Sequence, residues 1–272
     1  YGCYSTALAG VGADPLPDQP HGMPMLYSSG TTGTPKGVRP TLPEGQITEV
    51  RDAMTGLLGS FFGFGPTTTY LSPAPLYHAA PLRWCAAVQS FGGRVVVMKK
   101  FDAEASLQLI EKFRVTHAQF VPTMFVRMLK LPDAVRARHD VSSLQVAVHA
   151  AAPCPVEVKT KMIDWWGPIL VEYYAGTEGN GMTIVDSPAW LDRPGTVGKS
   201  AIGVLHICDD NGEELPTGEI GTVYVEREGQ VFTYHNDPDK TRRAQHPEHP
   251  NWSTLGDVGY VDAEGYLFLT DR

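Results

Sequence analysis

Between Ser28 and Lys36 the chain packs five hydroxyls, two glycines and one lysine into nine residues, SSGTTGTPK, directly behind a short apolar run. That composition suits a phosphate. Gly30 and Gly33 let the backbone turn its N–H groups inward, Ser28, Ser29, Thr31 and Thr32 can donate to phosphate oxygens, and Lys36 adds a point charge. A P-loop would need Gly-Lys-Ser/Thr opening a helix. Here Lys36 stands between Pro35 and Gly37, so no helix continues from it. A polar Gly/Ser/Thr turn is the plainer alternative.

Four later strings also carry side chains that could do chemistry. Pro75-Leu76-Tyr77-His78 ends a Pro-punctuated loop, His149 to Pro153 reads HAAAP, Glu172 to Glu178 reads EYYAGTE, and Trp252 to Arg272 holds Asp257 in a Gly-Asp pair. Small residues around Ala151 allow close backbone approach to a flat base, although small-residue packing explains them equally. A hard oxygen donor such as Glu178 beside a hydroxyl such as Thr177 suits a divalent cation shared with phosphate. A histidine beside aromatics, as at His78, is otherwise a hydrogen-bonded packing residue.

The elements that must position these strings can be read from hydrophobic period. Met23 to Tyr27 reads as a strand that delivers the first loop, and Ile47 to Phe62 has helical spacing. Strands are then expected at Tyr70, Arg94–Met98, Thr116–Val121, Leu144–Val148 and Ile169–Tyr173. Helices fall between them: one from Pro81 through Val88, one capped by Asp102, one over Thr123–Leu131 and one from Pro155 through Trp166. This alternation predicts an α/β fold, a largely parallel sheet flanked by helices, with the later strings at the C-terminal ends of strands where open sheets place ligands. Beyond Ser187 short β runs separated by turn signals such as Asp210-Asn211-Gly212 predict a β-rich, barrel-like subdomain. The expected organisation is an irregular lead-in over 1–22, an α/β part over 23–190 and a β-rich part over 191–272.

Length and charge narrow the function. With 272 residues and 42% hydrophobic residues the chain can bury a sizeable core, and its net charge of -8 argues against nucleic acid as a partner. No apolar run approaches a membrane span. Cys3, Cys85, Cys154 and Cys208 lack CxxC spacing and read as reduced, buried thiols of a cytoplasmic protein.

Together, in order and approximate spacing, the five strings resemble the adenylate-forming enzymes: acyl-CoA synthetases, luciferases and the adenylation domains of peptide synthetases. The wording of Gly256–Asp262 and Leu269–Arg272 looks most like bacterial fatty-acyl and steroid or bile-acid CoA ligases. The resemblance implies a piece of the large N-terminal domain, with more chain before Tyr1 and a small domain carrying the catalytic lysine after Arg272. It also implies ATP, Mg²⁺ and CoA as co-substrates of a small carboxylic acid. Ser28 through Gly33 and Lys36 would hold the β- and γ-phosphates, closing on pyrophosphate and releasing it. Tyr174 would stack on adenine, with Ala151, Tyr173, Ala175 and Gly176 close by and Glu172 or its backbone at the amino edge. Thr177 would bond the phosphate, Glu178 would ligate magnesium, and Asp257 and Arg272 would reach the ribose.

The acid would lie near Tyr77, His78, Trp84, Gly179, Asn180 and Gly181, with His78, Thr177 and Glu178 serving the chemistry. Ala151, Ala175 and Leu255 stand where the family has Gly, Gly and Thr. No buried cation is evident to neutralise a second charge on the substrate, and apolar lining favours a hydrophobic monocarboxylate; the resemblance implies one of fatty or steroid type. Alternatives are an aryl-CoA ligase, an adenylation domain that loads a carrier protein, and a nucleotide-binding module without turnover.

Overall fold

The computed structural model describes residues 3–12, 14–28, 35–49 and 53–271. Internal contacts divide the chain into two units, Tyr1–Met23 with Leu42–Arg51, and Pro24–Thr41 with Asp52–Arg272. In the smaller unit the short helix α1 (Tyr4–Ala9) buries none of its residues. Its remainder is tied by backbone bonds from Ile47 to the Gln19 carbonyl (2.8 Å) and from His21 to the Gly45 carbonyl (3.0 Å). Ile47 therefore belongs to this strap and not to the helix expected from its spacing.

The larger unit begins with β1 (Leu26–Ser28) and β2 (Lys36–Pro40), an antiparallel pair that sets Ser28 opposite Lys36. Lys36 thus opens a strand, as its proline and glycine neighbours require. Helix α2 (Ala53–Phe62) precedes the alternating run of β3 (Thr69–Ser72), α3 (Ala79–Ser90), β4 (Arg94–Val97), α4 (Ala103–Phe113), β5 (His117–Phe120), α5 (Pro122–Leu129) and α6 (Asp133–Arg136). The run continues through β6 (Val146–His149), α7 (Val156–Trp166) and β7 (Leu170–Ala175). Then come β8 (Met182–Asp186), α8 (Ser187–Asp192), β9 (Gly198–Ile202), β10 (Val204–Cys208), β11 (Gly221–Glu226), β12 (Phe232–Tyr234), α9 (Pro238–Arg243), β13 (Trp252–Val261) and β14 (Tyr266–Asp271).

Eleven strands form one sheet in the order β10-β11-β13-β14-β9-β8-β7-β6-β5-β3-β4. From β7 to β4 neighbours run parallel; from β7 through β10 they run antiparallel. The inner strands β3, β5 and β6 of the parallel half are covered on both faces and largely buried, while the edge strand β4 is half-exposed, and period two sorts the inner strands' side chains between two cores. Leu71 enters one core with Leu107, Phe125 and Met162, while its neighbour Tyr70 enters the other with Phe62, Trp84 and Val88. Asp102 starts α4 by accepting from the Ala105 N–H (2.9 Å), and Pro122 opens α5.

The α/β architecture is as expected, with two differences. The β-rich half is not a closed barrel among the described residues: it extends the same sheet edge to edge, because β8 pairs with both β7 and β9. Two helices also occur there without a helical period to announce them. Both are six residues long and rest on cap chemistry, with Asp186 accepting from Ala189 and Asp237 from Lys240, each followed by a proline in the first turn. A second, three-stranded sheet joins β12 to β2 and β1. Cys85 and Cys208 are buried, but Cys3 is exposed. Among the described residues no helix is long and apolar enough to cross a membrane.

Candidate active site

The parallel strands all end on the same edge of the sheet, so the loops that follow them converge there. Between the ends of β5, β6 and β7 and the start of α3 lies a cavity of about 330 Å³. Trp84, Phe120, Tyr173, Met182 and Ile202 give it apolar walls, and His78, Arg83 and Gln119 add polar groups. His78 reaches this wall because it is the residue that opens α3. Trp84 and Tyr173 lie nearly parallel, with ring centroids 6.1 Å apart. The Tyr173 hydroxyl accepts from Gln119 Nε2 at 2.6 Å, and burial pushes its pKa up to about 12, so it stays neutral.

Ala151, Ala175, Gly176, Thr177, Gly179 and Gly181 line the same cavity. Ala151 holds a left-handed backbone, φ 77°, which disfavours any residue with a Cβ. The alanine found where the resemblance expects glycine is therefore a strained one. At Gly176 the need for glycine is steric. A Cβ there would meet a Leu255 methyl at 2.6 Å and Glu178 Oε2 at 2.9 Å. Leu255 packs into this gap.

Some expected residues lie elsewhere. Tyr77 is 80% exposed and does not line the cavity. Asn180 is buried, and its Nδ2 lies 3.3 Å from the Ser253 carbonyl. Ser29, Gly30, Thr31, Thr32, Gly33 and Arg272 fall outside the described residues, as does the side chain of Ser28. Arg83, a half-buried cation that the sequence reading did not single out, is among the residues lining the cavity.

Glu172 is committed below the site. Alternation along β7 sends Tyr173 toward the cavity and Glu172 into the opposite core, where its Oε2 accepts from Lys159 Nζ at 2.6 Å. Both side chains are buried, at 6% and 0% exposure. His149 Nε2 stands 3.6 Å from the same oxygen. Burial, then the charge of Lys159, lowers the His149 pKa well below its ordinary value, so the imidazole is neutral. The Glu172 carboxylate is thus occupied, and its backbone is what remains for a ligand. Tyr174, on the same alternation, donates from its hydroxyl to Asp257 Oδ2 at 2.6 Å. The residue expected at the base and the one expected at the ribose, 83 positions apart, are direct neighbours.

Glu178 has a partner that sequence reasoning missed. Tyr234, at the end of β12, donates from its hydroxyl to Glu178 Oε1 at 2.8 Å. Pairing of β12 with β2 sets Tyr234 opposite Val38, two residues after Lys36. The carboxylate and the lysine are thereby tied to one small sheet. Among the described residues no group of three His, Cys, Asp or Glu side chains could hold a metal by itself. A lone carboxylate fits Mg²⁺, which is held by one or two carboxylates together with substrate phosphates.

The AMP-binding enzyme family matches residues 10–235. The chain belongs to this adenylate-forming family. It is 31% identical to the fatty acid–acyl-carrier-protein ligase ScoC of Streptomyces coeruleorubidus over 95% of its own length and 49% of that protein's. It is 32% identical to 4-coumarate-CoA ligase 1 of Narcissus pseudonarcissus, over 95% of this chain and 47% of that one. Among solved structures it is similar to ATP-bound MatB from Rhodopseudomonas palustris, at 27% identity and a TM-score of 0.75, covering 91% of this chain and 47% of that one. The chain spans about half the length of the curated relatives it matches.

Proposed function

We propose that this chain carries the nucleotide and acyl sites of a cytoplasmic, AMP-forming acid–thiol ligase that joins a hydrophobic carboxylic acid to CoA. The observation that carries the reading is the gathering of Tyr174, Asp257, Thr177 and Glu178 around the end of β7, next to an apolar cavity. In this reading residues 23–190 bind nucleotide and acid, and residues 191–272 supply Asp257 and Tyr234.

The reaction has two halves. The substrate carboxylate attacks the α-phosphorus of ATP and pyrophosphate leaves, giving acyl-AMP; the CoA thiol then attacks the acyl carbon and AMP leaves. No side chain need act as a nucleophile, so the chain's task is alignment and charge. The Tyr174 ring stacks on the base and Asp257 accepts from the ribose hydroxyls. Thr177 donates to phosphate, Lys36 faces the terminal phosphates, and His78 borders the acid. Glu178, held in place by Tyr234, is the carboxylate this reading offers to Mg²⁺. The bound cation would offset charge on the phosphate oxygens.

The acid is of fatty or steroid type by resemblance. The flat wall of Trp84 and Tyr173 favours a second reading, an aryl acid. Acid-dependent exchange of pyrophosphate into ATP by the full-length protein, across fatty, steroid and aryl acids, tests both. Exchange is expected with at least one class, followed by thioester formation with CoA. No exchange with any acid overturns the ligase reading, and transfer to a carrier protein but not to CoA overturns the acceptor.

A further inference from the structure

Helix α9 brings a second lysine to the phosphate end of this site. Lys240 stands on its first turn, and its Nζ lies 5.2 Å from the centre of the Tyr234 ring. The same tyrosine holds Glu178 through its hydroxyl. One aromatic side chain thus carries a cation on its face and a carboxylate at its tip.

Lys36 arrives at the same place from the other strand. The His235 N–H donates to the Gly37 carbonyl at 2.8 Å, so the chain entering α9 runs alongside Lys36. Lys36 lies two residues before Val38, the residue opposite Tyr234, so both lysines are carried beside the Tyr234 ring and the charge of Lys36 bears on Lys240. Two like charges repel, and of the acids on α9 Asp237 opposes that repulsion from the helix cap. Asp237 accepts from the Lys240 backbone N–H as the cap of α9, and Asp239 is paired with Arg242 at 2.9 Å. Arg243 adds further positive charge around Lys240. Burial first, then Lys36, pulls the Lys240 pKa down, as expected for a cation crowded by its like. An anion with several oxygens, seated between the lysines, would turn the repulsion into shared charge-assisted hydrogen bonds.

We propose that Lys240 is a second phosphate-binding cation, which together with Lys36 grips the β- and γ-phosphates of ATP and the pyrophosphate they become. The proposal rests on the adenylating reading above. It adds a residue from a helix that none of the phosphate-site strings contains, 204 positions along the chain from Lys36 (240 − 36). Phosphate would lie between two cations and the Glu178 carboxylate, with Tyr234 fixing the distance from Lys240 to that carboxylate.

The test measures binding of pyrophosphate, ATP with magnesium, and AMP to the full-length protein by calorimetry, for wild type, Lys240→Ala, Lys240→Met and Lys240→Arg. Loss of one charge-assisted bond should weaken pyrophosphate and ATP about tenfold in the alanine and methionine variants, with AMP unchanged and the arginine variant near wild type. A purely structural lysine would instead weaken AMP and ATP alike, and that result overturns the proposal. So does pyrophosphate affinity unchanged in all three variants. If wild type binds neither AMP nor ATP, the adenylating reading fails and this one with it; if wild type binds both and Lys240→Ala matches it, only the role of Lys240 is lost.

Discussion

Replacing Lys159 with methionine should unfold the protein far more readily than replacing Lys159 and Glu172 together. The two form a 2.6 Å ion pair with almost no exposure, and Lys159 Nζ also lies 4.6 Å from the Trp190 ring centre. Removing the cation alone leaves an ionised carboxylate in the core, which costs about 3–5 kcal/mol. At about 2–4 °C per kcal/mol for a chain of this size, the apparent melting temperature should fall by about 10 °C. The double variant Lys159→Met/Glu172→Leu buries no charge and should stay within about 1 kcal/mol of the parent, since apolar replacements of buried pairs are often neutral or better.

The direction with pH follows from the carboxyl. Burial raises the Glu172 pKa, opposed by Lys159. A raised folded-state pKa favours the fold below the unfolded value near 4.5, and that advantage is lost as pH rises through the folded pKa. Without Lys159 the pKa rises further, so the deficit of Lys159→Met relative to wild type should shrink on going from neutral to acidic buffer. Urea denaturation of the four proteins of this cycle at neutral and acidic pH measures it. A double variant as unstable as the sum of the single ones, or a single variant no weaker than wild type, would refute the reasoning. ATP affinity in the double variant is a second readout: it should match wild type, because the Glu172 side chain faces away from the cavity.

Two smaller changes probe the site directly. Tyr234→Phe keeps the buried ring but frees Glu178 Oε1, and the loss of one hydrogen bond to a charged group, about 1.5 kcal/mol, should lower kcat/KM for ATP about tenfold with the fold intact; an unchanged rate of pyrophosphate exchange would remove Tyr234 from the site. Ala151→Gly relieves a left-handed alanine and should raise stability by about 1 kcal/mol in urea denaturation, while a less stable variant would mean that the strain was misread.

What the chain declares by itself is local. Short runs, β-branched at Arg94–Val97, mark that segment and His117–Phe120 as strands, Asp102 and Pro122 mark helix starts, and the composition of Ser28–Lys36 and Glu172–Glu178 suits phosphate, because each depends on residues a few positions apart. Lys159 shows where that legibility stops. It shares the helical stripe of Met162, Ile163 and Trp166 on α7, a placement visible in the sequence, yet a lysine there is tolerable only because β7 delivers Glu172 beneath it. The same holds for Glu178 with Tyr234, 56 positions apart, and for Tyr174 with Asp257. Such partners are chosen by strand order: β12 docks on β2, and β8 turns the sheet antiparallel. Hydrophobic period sets which face of a strand is buried but not which strand lies beside it. The tertiary structure alone decided that Tyr234 holds Glu178.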